Sequence, residues 1–121
     1  MGITMVDIEK ATDCFVQTIK DTEIYKRYVY EKEKLERLPE LKKKIDDYRK
    51  RLYDFQNSEN QDQLFDEVDR LEEEGAGFRA NPLVSDFLAA ELAFCRMMQE
   101  IYAKITAEID FDFYMEPTGG R

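Results

Sequence analysis

With 121 residues, a net charge of -9 and a pI near 4.6, the chain has room for one domain and a single core. Its acidity argues against a reader of the nucleic-acid backbone, which needs clustered lysine and arginine to displace counterions. Charged residues make up 37% of the chain and hydrophobic ones 43%, proportions that suit long helices with one solvated face.

At the N-terminus, Met1 to Val6 lacks the apolar stretch of a secretory leader, and Val6 stands where N-myristoylation needs Ser or Thr. No apolar run approaches the roughly 18 residues of a membrane span. A cytoplasmic protein is expected. Cys14 and Cys95 lie far apart in helix-like contexts with no CxxC motif. They are expected to be buried free thiols.

Five helical stretches are predicted. The first runs from Thr4 or Asp7 to Lys20, with Ile8, Ala11, Phe15 and Ile19 at helical spacing, and Thr4 with Asp7 forms a capping box. Asp21 and Thr22 interrupt or re-cap the chain before a second helix carrying Ile24, Tyr25, Tyr28, Lys32 and Leu35. Pro39 then opens a third helix, with Glu40 suited to its N-terminal dipole. Leu41, Ile45, Tyr48, Leu52 and Phe55 form its a/d seam, and Lys42, Lys43, Lys44, Arg49, Lys50 and Arg51 fill its outer faces.

Ser58 to Gln61 matches a capping box for a fourth, acidic helix with Leu64, Val68 and Leu71 on a narrow stripe and Phe65 to one side. Gly75 and Gly77 are expected to end it, with Gly75-Ala76-Gly77 a linker. Asn81-Pro82 opens a fifth helix that meets no Gly or Pro before about Asp110. Two seams overlap on it. Val84, Phe87, Phe94, Met98, Ile101 and Ile105 form one, flanked by Leu88, Cys95, Tyr102 and Ile109. A stripe this wide needs at least two neighbours, so the helix either sits at the centre of the bundle or is shared with a second subunit. The expected architecture is an all-α antiparallel bundle, a single domain over residues 1–116 with a flexible tail at 117–121.

No histidine occurs, which removes the commonest general base and metal ligand and every Ser-His or Cys-His nucleophile. A di-iron bundle, which needs Glu-x-x-His pairs, is excluded with it. Glu91 lies on the seam of the fifth helix between Phe87 and Phe94. It reads as a structural ion pair with Lys or Arg of a neighbouring helix, or alternatively as the buried acid of a small-ligand or metal-binding bundle. Glu108, Asp110 and Asp112 read as solvated charges more readily than as a cation site. The basic third and acidic fourth helices are expected to be neighbours with complementary faces. An RNA-contacting strip over Lys42 to Arg51 is the weaker alternative. No enzyme and no cofactor is expected.

The order of a Tyr-x-x-Tyr turn at Tyr25 and Tyr28, Leu35, the Pro39-Glu40-Leu41 break, the Ile45/Tyr48 seam ending at Gln56, and Asn81-Pro82-Leu83-Val84 opening a helix with Phe87-Leu88 and Ala90-Glu91 resembles the YlbF/YmcA family of small bacterial helical proteins. The resemblance covers roughly residues 6 to 110. It implies a non-enzymatic homo-oligomer, usually a dimer, acting with other regulatory proteins in competence, sporulation and biofilm formation and linked to ribonuclease Y and mRNA processing. Certain members carry a cysteine-bearing C-terminal region tied to an iron-sulfur cluster, and the tail from Asp110 to Arg121 has no cysteine.

The reading is therefore a regulatory or adaptor protein that binds a second copy of itself and other regulators, with no membrane partner and no direct nucleic-acid binding. Its predicted interface comprises Tyr25 and Tyr28 of the second helix and Val84, Phe87, Leu88, Glu91, Phe94, Met98, Ile101, Tyr102 and Ile105 of the fifth.

Overall fold

The computed structural model describes residues 2–57 and 65–109, and every regular element among them is helical. In chain order these are α1 (Met5–Lys20), α2 (Glu23–Glu36), α3 (Pro39–Gln56), α4 (Phe65–Ala80) and α5 (Pro82–Ile109). The helix ends follow local chemistry. Thr4 caps α1, its hydroxyl accepting from the Asp7 N–H at 3.3 Å while the Asp7 carboxylate accepts from the Thr4 N–H at 3.0 Å. This reciprocal box resolves the choice of start in favour of Thr4.

α1 closes at Asp21, and the Thr22 hydroxyl then accepts from the Tyr25 N–H at 3.1 Å, so the two helices are separate and joined by a re-cap. Leu38, held out of the helical region before proline at φ -124 and ψ 72, separates α2 from α3. Pro39 occupies the first turn of α3 as expected. Only Asn81 divides α4 from α5, and its side-chain oxygen accepts from the Leu83 N–H at 3.0 Å. The capping box at Ser58 to Gln61, Leu64, and the tail from residue 110 onward lie outside the described residues.

α5 is the element against which the others assemble. α2 packs along it most extensively, α4 lies on its N-terminal part, and α3 leans on α2 and α4. Among the described residues the buried hydrophobic ones are Leu35, Ile45, Leu71, Val84, Phe87 and Ala90, with Val84 wholly buried. Tyr28, Leu41, Phe78, Leu83 and Leu88 pack around the cluster of Leu35, Ile45, Val84 and Phe87. At about 1.5 to 3 kcal/mol for each large apolar side chain buried, this small cluster supplies the main driving force for the bundle.

Two expectations are corrected. Gly75 and Gly77 do not end α4, which continues to Ala80. The helix accepts the propensity cost of Gly75 because α3 approaches there: a Cβ built on Gly75 would stand 2.6 Å from Tyr48 Oη. The Tyr48 ring meets Phe78 edge-on at 5.1 Å, so close helix packing overrides the local stop signal. The second correction concerns the thiols. Cys14 and Cys95 are free but exposed, because each helix turns its cysteine away from the packed face.

The two glycines of α4 give opposite expectations. At Gly77 nothing lies within 4 Å of an added Cβ. Gly77→Ala should therefore stabilise the protein by about 0.5 to 1 kcal/mol through helix propensity, raising the thermal midpoint by roughly 2 to 5 °C. Gly75→Ala should give a net loss, since Tyr48 must leave Phe78. Parallel thermal unfolding of the two variants checks this, and equal gains would refute the close-approach account.

Candidate protein-interaction surface

Tyr25 and Tyr28 of α2 turn toward α5, while Tyr30 stays exposed. Tyr25 meets Phe94 edge-on at 5.3 Å, and Tyr28 stacks on Phe94 at 5.1 Å and approaches Phe87 at 6.1 Å. Leu88 lines an apolar cavity of about 220 Å³ with Tyr48, Leu52 and Phe78. The predicted surface thus divides. Val84 and Phe87 belong to the core, while Tyr25, Tyr28, Leu88 and Phe94 are engaged within the chain. Met98, Ile101, Tyr102 and Ile105 continue the same stripe past the core.

Glu91 sits at the boundary. Both of its oxygens accept from Arg49 of α3, Oε1 from Nη2 at 2.6 Å and Oε2 from Nη1 at 3.2 Å. The Arg49 guanidinium also lies 5.6 Å from the centroid of the Phe87 ring. A fork-to-fork pair of this kind fixes orientation as well as charge, and it leaves Glu91 without a free oxygen directed at a ligand. The structural ion pair is thus the arrangement present. Among the described residues no group of three or more Cys, Asp or Glu is placed to hold a metal ion.

A second acid on a seam escaped the sequence reading. Glu31 is 4% exposed, sandwiched at the α2 packing face. Lys34 Nζ lies 2.9 Å from its Oε1 and Arg27 Nε 4.0 Å from its Oε2, so the cations that face it come from its own helix. The signal was available: Ile24, Tyr28, Glu31 and Leu35 step by four, three and four, which puts Glu31 on the same stripe as its apolar neighbours. Glu31 in turn raises the pKa of Lys34, chiefly through a hydrogen bond.

The cations of α3 are largely spent on its own and neighbouring acids. Lys42, Lys43 and Lys50 pair with Asp46, Asp47 and Asp54 one turn on, at 2.9, 2.8 and 3.0 Å. Arg51 reaches across to α4, where Nη2 meets Glu74 at 2.6 Å and Nη1 lies 3.9 Å from Glu67. The complementary faces expected of the two helices are therefore present. Neutralisation by internal acids also removes most of the charge that an RNA-contacting strip would need.

The accessible apolar surface lies at the other end of the molecule. No residue of α1 is buried. Met5, Ile8, Phe15 and Val16 on α1, with Met98, Tyr102, Ile105 and Ile109 on α5, are large hydrophobic side chains left exposed. Phe15 comes against Ile101, Ile105 and Ile109 to line an open cavity of about 340 Å³, edged by Lys104 and Glu108. The α1 stripe was visible in the sequence, but periodicity marks an apolar face without saying what covers it. No described helix is long and apolar enough to cross a membrane.

A helical bundle whose chemistry is ion pairing and whose accessible feature is an apolar face belongs to the class of small all-α proteins without a described catalytic or metal centre. Residues 8–110 match the family model described as control of competence regulator ComK, YlbF/YmcA, and the chain is a member of that family. Neither curated proteins nor solved structures give a match.

Two outcomes follow from the ion pairs. A double-mutant cycle with Arg49→Met and Glu91→Gln should give a coupling of about 1 kcal/mol, modest because the pair is partly solvated. Urea unfolding measures it, and zero coupling would make the pair incidental. Arg51 holds the Glu74 carboxyl below its ordinary value of 4.5, mainly by a hydrogen bond. A carboxyl lowered in the folded state stabilises above its unfolded value and loses that contribution as pH falls through the folded one. The stability difference between wild type and Glu74→Gln should therefore be level near neutrality and shrink below about pH 4.5, read by unfolding at graded pH.

Proposed function

We propose that this chain is a non-enzymatic cytoplasmic regulator that acts by binding proteins, with a second copy of itself as one partner and other regulatory proteins as the rest. The observation that supports this is the apolar face shared by α1 and the distal half of α5, which the described residues leave uncovered. Monomers seldom expose contiguous apolar patches of this kind unless a partner covers them. Membership in a family described by control of ComK supports the regulatory part. By the same kinship, the partners are proteins of competence, sporulation and biofilm control, including machinery linked to ribonuclease Y.

The small-ligand reading centred on Glu91 has less support, since Arg49 engages both carboxylate oxygens. Sedimentation velocity at micromolar concentration is expected to give a mass above that of the monomer. Capture from the native cell is expected to recover regulatory proteins with the wild type and to lose them when the α1–α5 face carries a charge. A strict monomer that captures nothing would refute the proposal.

A further inference from the structure

We propose that the apolar cavity between α3, α4 and α5 is a binding site for a small amphipathic carboxylate, with its apolar chain in the cavity and its head group held by Tyr48 and Arg79. The site lies away from the α1–α5 face and is separate from Glu91, so it stands or falls independently of the reading of that face as an interaction surface.

The cavity occupies about 220 Å³. Ile45 and Val84, both residues of the core cluster, line it together with Leu52, Phe78 and Leu88. Protein interiors seldom keep voids larger than a water molecule, because the lining side chains forfeit their contacts there. A cavity of about 150 Å³ lined by such residues takes up a benzene ring, so this one suits a somewhat larger apolar body, on the order of eight carbons.

Two polar atoms meet at its edge. Gly75 of α4 lies buried in the lining, and the place where its Cβ would stand is 2.6 Å from Tyr48 Oη and 3.1 Å from Arg79 Nη1. A hydroxyl from α3 and a guanidinium from α4 thus converge on one point, and a residue without a side chain keeps the space beside them clear. Among the described residues neither atom has a hydrogen-bond or ion-pair partner. The other arginines nearby are engaged: Arg49, which also lines the cavity, holds Glu91, and Arg51 holds Glu74. In a chain of net charge -9, an arginine at an apolar cavity that takes no internal acid is available to an external one.

The donors select the class of ligand. Phenol and guanidinium both donate, and a carboxylate is the small group that accepts from two donors at once. An amine would be repelled by Arg79. A phosphate ester would bring twice the charge to a single unpaired cation. The occupant touches three helices together, so binding also raises the thermal midpoint by mass action.

The test titrates the full chain with octanoate in a calorimeter, with octanol as the uncharged counterpart. Octanoate should bind one-to-one with a dissociation constant on the order of 0.1 to 1 mM, as expected for a ligand of this size. Arg79 is exposed, so Arg79→Gln should keep the fold while weakening octanoate about fivefold and leaving octanol unchanged. Tyr48→Phe, which keeps the ring on Phe78, should weaken octanoate about threefold. Leu52→Phe, which extends a ring into the cavity, should abolish binding of both probes. Ile105→Asp, on the α1–α5 face, should change neither. Absence of octanoate binding to the wild type at about tenfold above that range overturns the proposal. Octanoate affinity lost in Ile105→Asp places the ligand on the other face and overturns it as well. Affinity untouched by both Arg79→Gln and Tyr48→Phe overturns the head-group assignment, and these two variants decide it whether or not Leu52→Phe folds.

Discussion

A helix of 28 residues is about 42 Å long, and the helices that pack on α5 within the chain give it buried positions only as far as Ala90. That mismatch of length organises the molecule. Over its first turns α5 has α2 on one side and α4 on another, and the stripe is covered on both flanks. Further on, α2 gives way at Thr22 to α1, whose narrower apolar face covers part of one flank and leaves the rest open. The wide stripe predicted for α5 thus meets two neighbours for about half its length and one for the other half.

Within the packed block, acids on apolar seams fix which helix meets which. Glu91 sits beside Phe87 and Phe94 at a partly solvated position, and α3 brings Arg49 to it across the bundle. Glu31 is paired more locally, with Lys34 one turn on. The first pair ties α3 to α5, and the second neutralises α2 so that it can lie on α5. Removing the cation from Glu31 would leave a buried charge unpaired, and that penalty exceeds the modest net value of the pair itself. The two pairs therefore act on orientation more than on total stability.

The fold was largely legible in the residues, and the reasons are local. Thr4 with Asp7, Thr22, Pro39 and Asn81-Pro82 are caps whose chemistry operates within one turn, so they mark boundaries without knowledge of the rest. Gly75 misled because the decisive partner, Tyr48, is 27 positions away in sequence, and propensity contains no record of it. The cysteines misled for a related reason: a small apolar residue in a helix carries no mark of which way its neighbours lie. The site was legible only in part. Periodicity located the α5 stripe, but which of its residues are consumed by Tyr25 and Tyr28 depends on how far α2 extends along it. Glu31 was masked by its charge, although its spacing was that of a core position.

The same division of the molecule has a thermodynamic consequence for the arm made by α1 and distal α5. A helix of 16 residues with no buried side chain gains little from tertiary packing, and isolated helices of that length are marginal in water. The capping box at Thr4 and the contact of Phe15 with distal α5 help α1, but its apolar face stabilises it fully only when covered. Whatever covers that face binds the ordered arm more tightly than the frayed one, and so stabilises α1 by mass action. Under the proposed self-association, order in the arm and occupancy of its surface are then one equilibrium, set by protein concentration. The block from Leu35 to Ala90 keeps its own core throughout and is not required to change. A regulator built this way can separate a constant scaffold from a concentration-sensitive surface, with Thr22 as the joint between them.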